Sequence, residues 1–193
     1  MKGLGAKMAG GNPENGRQPN DFYATPADVT RALIRAEHDV MPHLIWEPAC
    51  GTGAITEVLQ PGRVVFSSDL NDYGYGGEIG RDFLDPLTEP PFWSAPFGIV
   101  TNPPFKLAQQ FIIRAHEIAE CHYLALVLKT TYWQAGTRRR RLWETHPPAR
   151  IYALGWRPDF RDLGAPTMDC MWCVWEPRKP YRGTQYQLLF PNA

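Results

Sequence analysis

The stretch Glu47-Pro48-Ala49-Cys50-Gly51-Thr52-Gly53 follows an apolar run at 43–46 and precedes a helical pattern at 54–60. A short apolar run, a glycine turn and a helix form the opening half of a βαβ unit. Glycines at such a turn permit positive φ and let a ligand approach the backbone closely. The six-residue dinucleotide fingerprint is absent, since position 56 is Thr and no third glycine follows. The short form leaves little room for a pyrophosphate and suits a nucleoside cofactor. A plain strand-to-helix turn places the same demands on the sequence.

Working outward, further strands are expected at 63–67, 98–100, 122–128, 151–154 and 170–175. Helices are expected from Thr25-Pro26 onward, over 106–120 and over 134–145. Thr25 is placed to cap the first, Pro26 fits its first turn, and Asp28 sits near the positive end of its dipole. Strands alternating with helices predict an α/β fold: a Rossmann-like, doubly wound, mainly parallel sheet. Such sheets bind ligands beyond the carboxyl ends of their strands. Three unusual segments follow strands directly, at 47–53, 68–69 and 101–105, so their loops should open on one edge.

Composition narrows the class. The chain has 193 residues, enough for one domain with a real core. The expected organisation is a leader over 1–20 and one catalytic domain over 21–193. With 19 Pro and 17 Gly the chain is rich in turns, which argues against a long helical bundle. Twenty basic residues balance 20 acidic ones, which excludes a uniformly basic nucleic-acid coat protein. The balance is a cancellation: residues 131–193 hold 10 basic and 5 acidic residues, and the rest is acidic. That asymmetry points to an anionic partner for the C-terminal third. No apolar run reaches membrane-spanning length and no secretory signal opens the chain. Four scattered cysteines, without a disulfide framework, read as a reducing, cytoplasmic setting.

Asp69 closes the second expected strand, where an acid accepts hydrogen bonds from ribose hydroxyls. A solvated loop aspartate is the plainer reading. The sharpest feature is Asn102-Pro103-Pro104-Phe105. Two prolines fix φ and restrict the residue before them, holding Asn102 rigidly at a strand end. The Asn102 side-chain oxygen and the Pro103 carbonyl then form a pair of acceptors. Such a pair grips an amino group conjugated to a ring and frees its lone pair, while Phe105 offers a flat face to the ring.

With these residues the chain resembles the S-adenosylmethionine-dependent amino-methyltransferases. The order of Phe22-Tyr23-Ala24-Thr25-Pro26, then the glycine turn, then Asn-Pro-Pro-Phe resembles the DNA N6-adenine methyltransferases. Three further stretches look like the phage-type DNA N-6-adenine group: Thr145-His146-Pro147-Pro148-Ala149-Arg150, Trp156-Arg157-Pro158-Asp159-Phe160 and Trp172-Cys173-Val174-Trp175. The resemblance spans residues 20–190 and implies the class I methyltransferase fold, with an antiparallel strand near the C-terminus. It implies S-adenosyl-L-methionine as cofactor, bound by Pro48, Cys50, Gly51 and Gly53, with Asp69 on the ribose. It further implies Asp82 and Phe83 at the cofactor adenine, and Tyr23, Thr25 and Pro26 near the methionine carboxylate. Asn102, Pro103, Pro104 and Phe105 become the catalytic tetrapeptide, and no metal is required. Many DNA enzymes of this kind carry Asp and Tyr at the ends of that tetrapeptide. Asn first is shared with enzymes acting on RNA adenine and on protein glutamine, so both remain alternative substrates. A non-catalytic cofactor- and DNA-binding module is the third reading, against which the intact tetrapeptide argues.

Lys129, Trp133 and the run Arg138-Arg139-Arg140-Arg141 are the candidates for nucleic-acid contact. Arginines there would neutralise phosphates, and an aromatic ring would fill the gap left by a flipped adenine. A solvated helix face accounts for the same charges. Cys170 and Cys173 make a lone Cys-x-x-Cys; on a strand their spacing sends them to opposite faces, so no zinc site is expected.

Overall fold

The computed structural model describes residues 22–191, apart from positions 93, 94, 135, 161, 163 and 165 and the side chains of Arg138 and Arg139. The leader expected over 1–20 lies outside the described residues.

The elements follow the expected alternation. In chain order they are α1 (Ala27–Ala36), β1 (Leu44–Glu47), α2 (Thr56–Leu59), β2 (Val64–Asp69), β3 (Glu78–Ile79) and β4 (Phe97–Thr101). There follow α3 (Ala108–Glu117), β5 (Cys121–Lys129), a 3₁₀ turn (Thr130–Gln134), α4 (Gly136–Thr145), β6 (Arg150–Leu154), β7 (Cys170–Trp175) and β8 (Gln185–Leu189). The strands form one eight-stranded sheet in the order β3-β2-β1-β4-β5-β7-β6-β8. β1, β2, β3, β4 and β5 pair in parallel. β7 runs antiparallel to both its neighbours, and β8 returns parallel to β6. The α/β fold and its single reversed strand near the C-terminus are therefore as expected.

Period-two patterning divides the core between the two faces. On β5, Leu124, Leu126 and Leu128 join one buried cluster, and Tyr123, Ala125 and Val127 join the other. On β7, Met171, Cys173 and Trp175 take the first face, and Cys170, Trp172 and Val174 the second. α3 covers the first face with Phe111, Ile112 and Ala115. α1 covers the second with Val29, Ala32 and Leu33. The two cysteines of Cys170-x-x-Cys173 thus lie on opposite faces, and burial pushes both thiols up to about 12. Among the described residues no cluster of metal-ligating side chains forms.

Local details differ from the sequence reading. Pro26 stands at the cap position of α1, with φ −55° and ψ 141°, and no side chain caps the helix there. Thr25 is instead 3% exposed, and its hydroxyl has no hydrogen-bond partner among the described residues. Asp28 accepts the Val29 N–H at 2.9 Å and supplies the negative charge of the first turn. The helix expected over 54–60 shortens to Thr56–Leu59, because the glycine turn runs on before it. β3 and β8 were not expected: the first has only two residues, and the second is exposed over most of its length.

Candidate active site

β1, β2 and β4 are parallel neighbours and end at one edge, on Glu47, Asp69 and Thr101. Beyond those carboxyl ends lies a cavity of about 480 Å³. The three segments singled out in the sequence meet there, as the crossover topology requires.

The glycine turn forms one side. Gly51 and Gly53 adopt φ of 53° and 80°, a region open to glycine and strained for other residues. The turn is tied to the end of β2: the Gly51 N–H donates to Asp69 Oδ2 at 2.9 Å, and the Cys50 N–H to the Ser68 carbonyl at 3.0 Å. Asp69 Oδ1 accepts the Asn71 N–H at 2.9 Å. Asp69 therefore lines the cavity while bracing the turn. A Cβ on Gly53 would fall 2.1 Å from the Tyr75 ring, so the turn accepts no side chain there.

Of the residues assigned to the cofactor, Tyr23, Thr25, Pro48, Cys50, Asp69, Asp82 and Phe83 line this cavity. Gly51 and Gly53 build its turn, and Pro26 stands just outside at the start of α1. Phe83 also packs against Trp46 and Phe111, with ring centroids 5.2 and 4.7 Å away, so that wall is part of the core.

The tetrapeptide leaves β4 at the cavity's other side. Asn102 and Pro104 line the cavity, and Pro103 is buried beside them. Asn102 Nδ2 donates to the Tyr23 carbonyl at 3.0 Å. That bond orients the amide and leaves Oδ1 as the free acceptor. Phe105 lies outside the cavity lining. Its ring is near-parallel to Tyr23, with centroids 6.3 Å apart at 27°, and Lys129 Nζ sits 4.9 Å above it. Lys129 closes β5 and so stands beside the tetrapeptide.

Sequence reasoning missed Glu47. It is the last residue of an apolar strand, 1% exposed, and lines the cavity. Its carboxyl accepts a hydrogen bond from Thr56, whose hydroxyl also meets Ser67 Oγ at 2.7 Å. Burial pushes its pKa up to about 8, and the Thr56 bond offsets only part of that rise. A carboxyl whose folded pKa lies above its unfolded one holds its proton longer in the folded chain. Its contribution to stability therefore falls as pH rises from about 4.5 to about 8, then levels. Glu47→Gln removes that slope, roughly 1.4 kcal/mol per pH unit at most. Denaturant unfolding of both chains between pH 5 and 8 checks it, and parallel pH profiles would refute it.

The other basic and aromatic candidates are placed differently. Trp133 packs edge-to-face against Tyr132 and Trp143, with centroids 5.0 and 4.9 Å away, and 6.3 Å from Trp175. Its ring is thus engaged in packing on the first sheet face. Arg140 and Arg141 are exposed on α4, and Arg140 pairs with Glu144 one helical turn on, at 2.9 Å. Arg138 and Arg139 belong to the same helix, but their side chains lie outside the described residues. No helix among the described residues is long and apolar enough to cross a membrane.

No protein-family model and no curated protein matches the sequence. Solved structures do match the fold. The methyltransferase subunit of a type I restriction-modification system from Streptococcus thermophilus gives a TM-score of 0.63 at 14% identity, over 86% of this chain and 47% of that one. A candidate class I S-adenosylmethionine-dependent methyltransferase from Listeria monocytogenes gives 0.59 at 15%, over 93% and 70%. A dimethyladenosine transferase from Plasmodium falciparum gives 0.56 at 16%, over 81% and 63%. This chain spans about half the length of the restriction-modification subunit. At these identities the shared property is the fold, that of the class I methyltransferases.

Proposed function

We propose that this chain is an S-adenosylmethionine-dependent methyltransferase that methylates N6 of adenine in DNA. The observation that carries the reading is Asn102. Its amide is fixed by the Tyr23 carbonyl, with Oδ1 left as acceptor, in the wall of the glycine-turn cavity. The cavity suits the cofactor. Its volume falls within the range of small-molecule sites. The buried Thr25 hydroxyl in its wall has no hydrogen-bond partner among the described residues and faces a ligand site. Asp69, in the cavity wall, supplies an acidic group for a ligand that carries positive charge.

Bound S-adenosylmethionine supplies an electrophilic methyl group on a cationic sulfur. The chain's own residues prepare the acceptor. Asn102 Oδ1 and the Pro103 carbonyl accept the two N–H bonds of the amine. Its lone pair is thereby released from the ring and aimed at the methyl carbon. The positive charge that would develop on nitrogen as it takes the methyl group would be stabilised by the same two acceptors. The amine then loses a proton to solvent. Phe105 stacks the base, and Pro103-Pro104 keeps the acceptors rigid, so orientation supplies most of the acceleration. A base inside a duplex must first be extruded.

DNA, rather than another amine acceptor, is favoured by the basic C-terminal third and by the phage-type sequence resemblance. Lys129 beside Phe105 and the arginines of α4 would meet phosphates there. A bacterial or phage-infected cytoplasm is the setting this reading implies. Lys129→Met should raise the KM for DNA several-fold and lower the salt slope of binding by about 1. Fluorescence anisotropy across a salt series measures it, and an unchanged slope would count against a phosphate contact.

Label transfer tests the whole reading. The chain receives methyl-labelled S-adenosylmethionine with duplex DNA, single-stranded DNA, RNA or protein extract. Label in N6-methyladenine of DNA is expected. Label confined to RNA or protein moves the substrate, and cofactor binding without transfer points to a non-catalytic module.

A further inference from the structure

We propose that Phe22 and Tyr73 form an aromatic clasp over the cofactor cavity, and that this stack sets how long the cofactor stays bound. The inference rests on the methyltransferase reading and gives a role to two residues to which the sequence reading assigned none.

The two rings come from separate segments and stack at 4.4 Å between centroids, 21° from parallel. Both line the cavity. Phe22 lies against the glycine turn: a Cβ on Gly51 would fall 2.1 Å from its ring. Tyr73 reaches in from the β2–β3 loop, where Asn71, Asp72 and Gly74 are exposed. The pair is therefore the outer wall. Phe83 and Phe111, also in the lining, are 3% and 4% exposed and belong to the core.

The loop's tip is exposed, with the Gly74 N–H donating to Asp72 Oδ1 at 2.7 Å, and its base is packed. Gly74 and Gly76 have φ of 79° and 88°, and added Cβ atoms there would meet nothing within 4 Å. Tyr75, by contrast, lies directly on Gly53, and Gly77 packs near Cys50 Sγ and the Ser67 carbonyl. Opening parts Tyr73 from Phe22 while Tyr75 stays on Gly53. Parting one aromatic stack then opens the cavity without disturbing the sheet.

The clasp also adjoins the acceptor machinery. Tyr23 follows Phe22 in the chain, and its carbonyl holds the Asn102 amide. A closed clasp and an oriented Asn102 share one short segment, which favours an acceptor site set while cofactor is enclosed.

The test is the dissociation rate of S-adenosylhomocysteine and S-adenosylmethionine, read by stopped-flow displacement with protein fluorescence. Phe22→Ala and Tyr73→Ala should each speed dissociation about three- to tenfold, the worth of an aromatic pair. Tyr73→Phe should stay within about twofold of the wild type. The double alanine variant should be no faster than the faster single one, because both remove the same contact. Unchanged rates in Tyr73→Ala, or effects that multiply in the double variant, would overturn the clasp. Tyr73 stands on an exposed loop, so its variants carry the test alone should Phe22→Ala fold poorly. A wild-type chain that binds neither ligand removes the methyltransferase reading itself; a wild type that binds, with alanine variants that release no faster, removes only the clasp.

Discussion

Asn102→Ala is expected to lower methyl transfer by about 10²–10³-fold, the usual effect of deleting one preorganised polar contact to developing charge. The cofactor dissociation constant should stay within about threefold, because the glycine turn, Asp69 and Phe83 remain in place. The side chain touches the rest of the protein through its bond to the Tyr23 carbonyl, so truncation removes an acceptor without opening the core. Asn102→Asp separates two parts of the argument. It retains an oxygen acceptor but loses the N–H that Tyr23 accepts, and sets a carboxylate beside that carbonyl. Its activity should fall between those of the wild type and the alanine variant. Initial rates with labelled cofactor, alongside calorimetric binding, measure both quantities. An alanine variant within tenfold of wild-type turnover would sink the role assigned to Asn102.

The turn at 47–53 and the tetrapeptide at 102–105 were legible in the sequence because their peptides are unusual and directly follow apolar runs. Glycine freedom and proline restriction act locally, so they can be read without tertiary structure. The doubly wound sheet followed from alternation alone, and the opposite faces of Cys170 and Cys173 from strand period. What depended on distant packing was not legible. The raised pKa of Glu47 comes from burial beneath the cavity, and nothing in Trp-Glu-Pro signals that depth. Tyr75 and Phe22 lie on the two glycines of the turn, and the spacing between them carries no such message. Trp133 reads as a nucleic-acid contact beside arginines, but its ring packs against Tyr132, Trp143 and Trp175. β8 escaped notice because its exposed residues lack the alternation of a half-buried strand.

Glu37→Ala is expected to destabilise the fold by about 3–5 kcal/mol, the range for removing one partner of a buried ion pair. Glu37 ends α1, with its side chain fully enclosed. Its carboxylate accepts Arg150 Nε at 2.6 Å and a second guanidinium N–H at 3.0 Å, and the Tyr152 hydroxyl donates to it at 2.5 Å. Burial alone would lower the Arg150 pKa; the bonds and charges of Glu37 and Glu176 outweigh that and raise it. Without Glu37, Arg150 keeps Glu176 at 3.0 Å, while its other N–H groups and the Tyr152 hydroxyl lose their acceptor. For a chain of this length the thermal midpoint should drop by roughly 6–20 °C. Replacing Arg150 as well, in Glu37→Ala/Arg150→Met, should recover much of the loss, because a paired deletion strands no charge. The effect should be confined to stability. Glu37 lies at the end of α1 away from Tyr23–Pro26, about 15 Å along a ten-residue helix. Well below the midpoint, methyl transfer per folded molecule should therefore stay within about twofold of the wild type. That pattern, a large melting shift with intact turnover, is the inverse of the one expected for Asn102→Ala. Turnover that fell with the Glu37 substitution at low temperature would show that α1 transmits to the Tyr23–Asn102 bond.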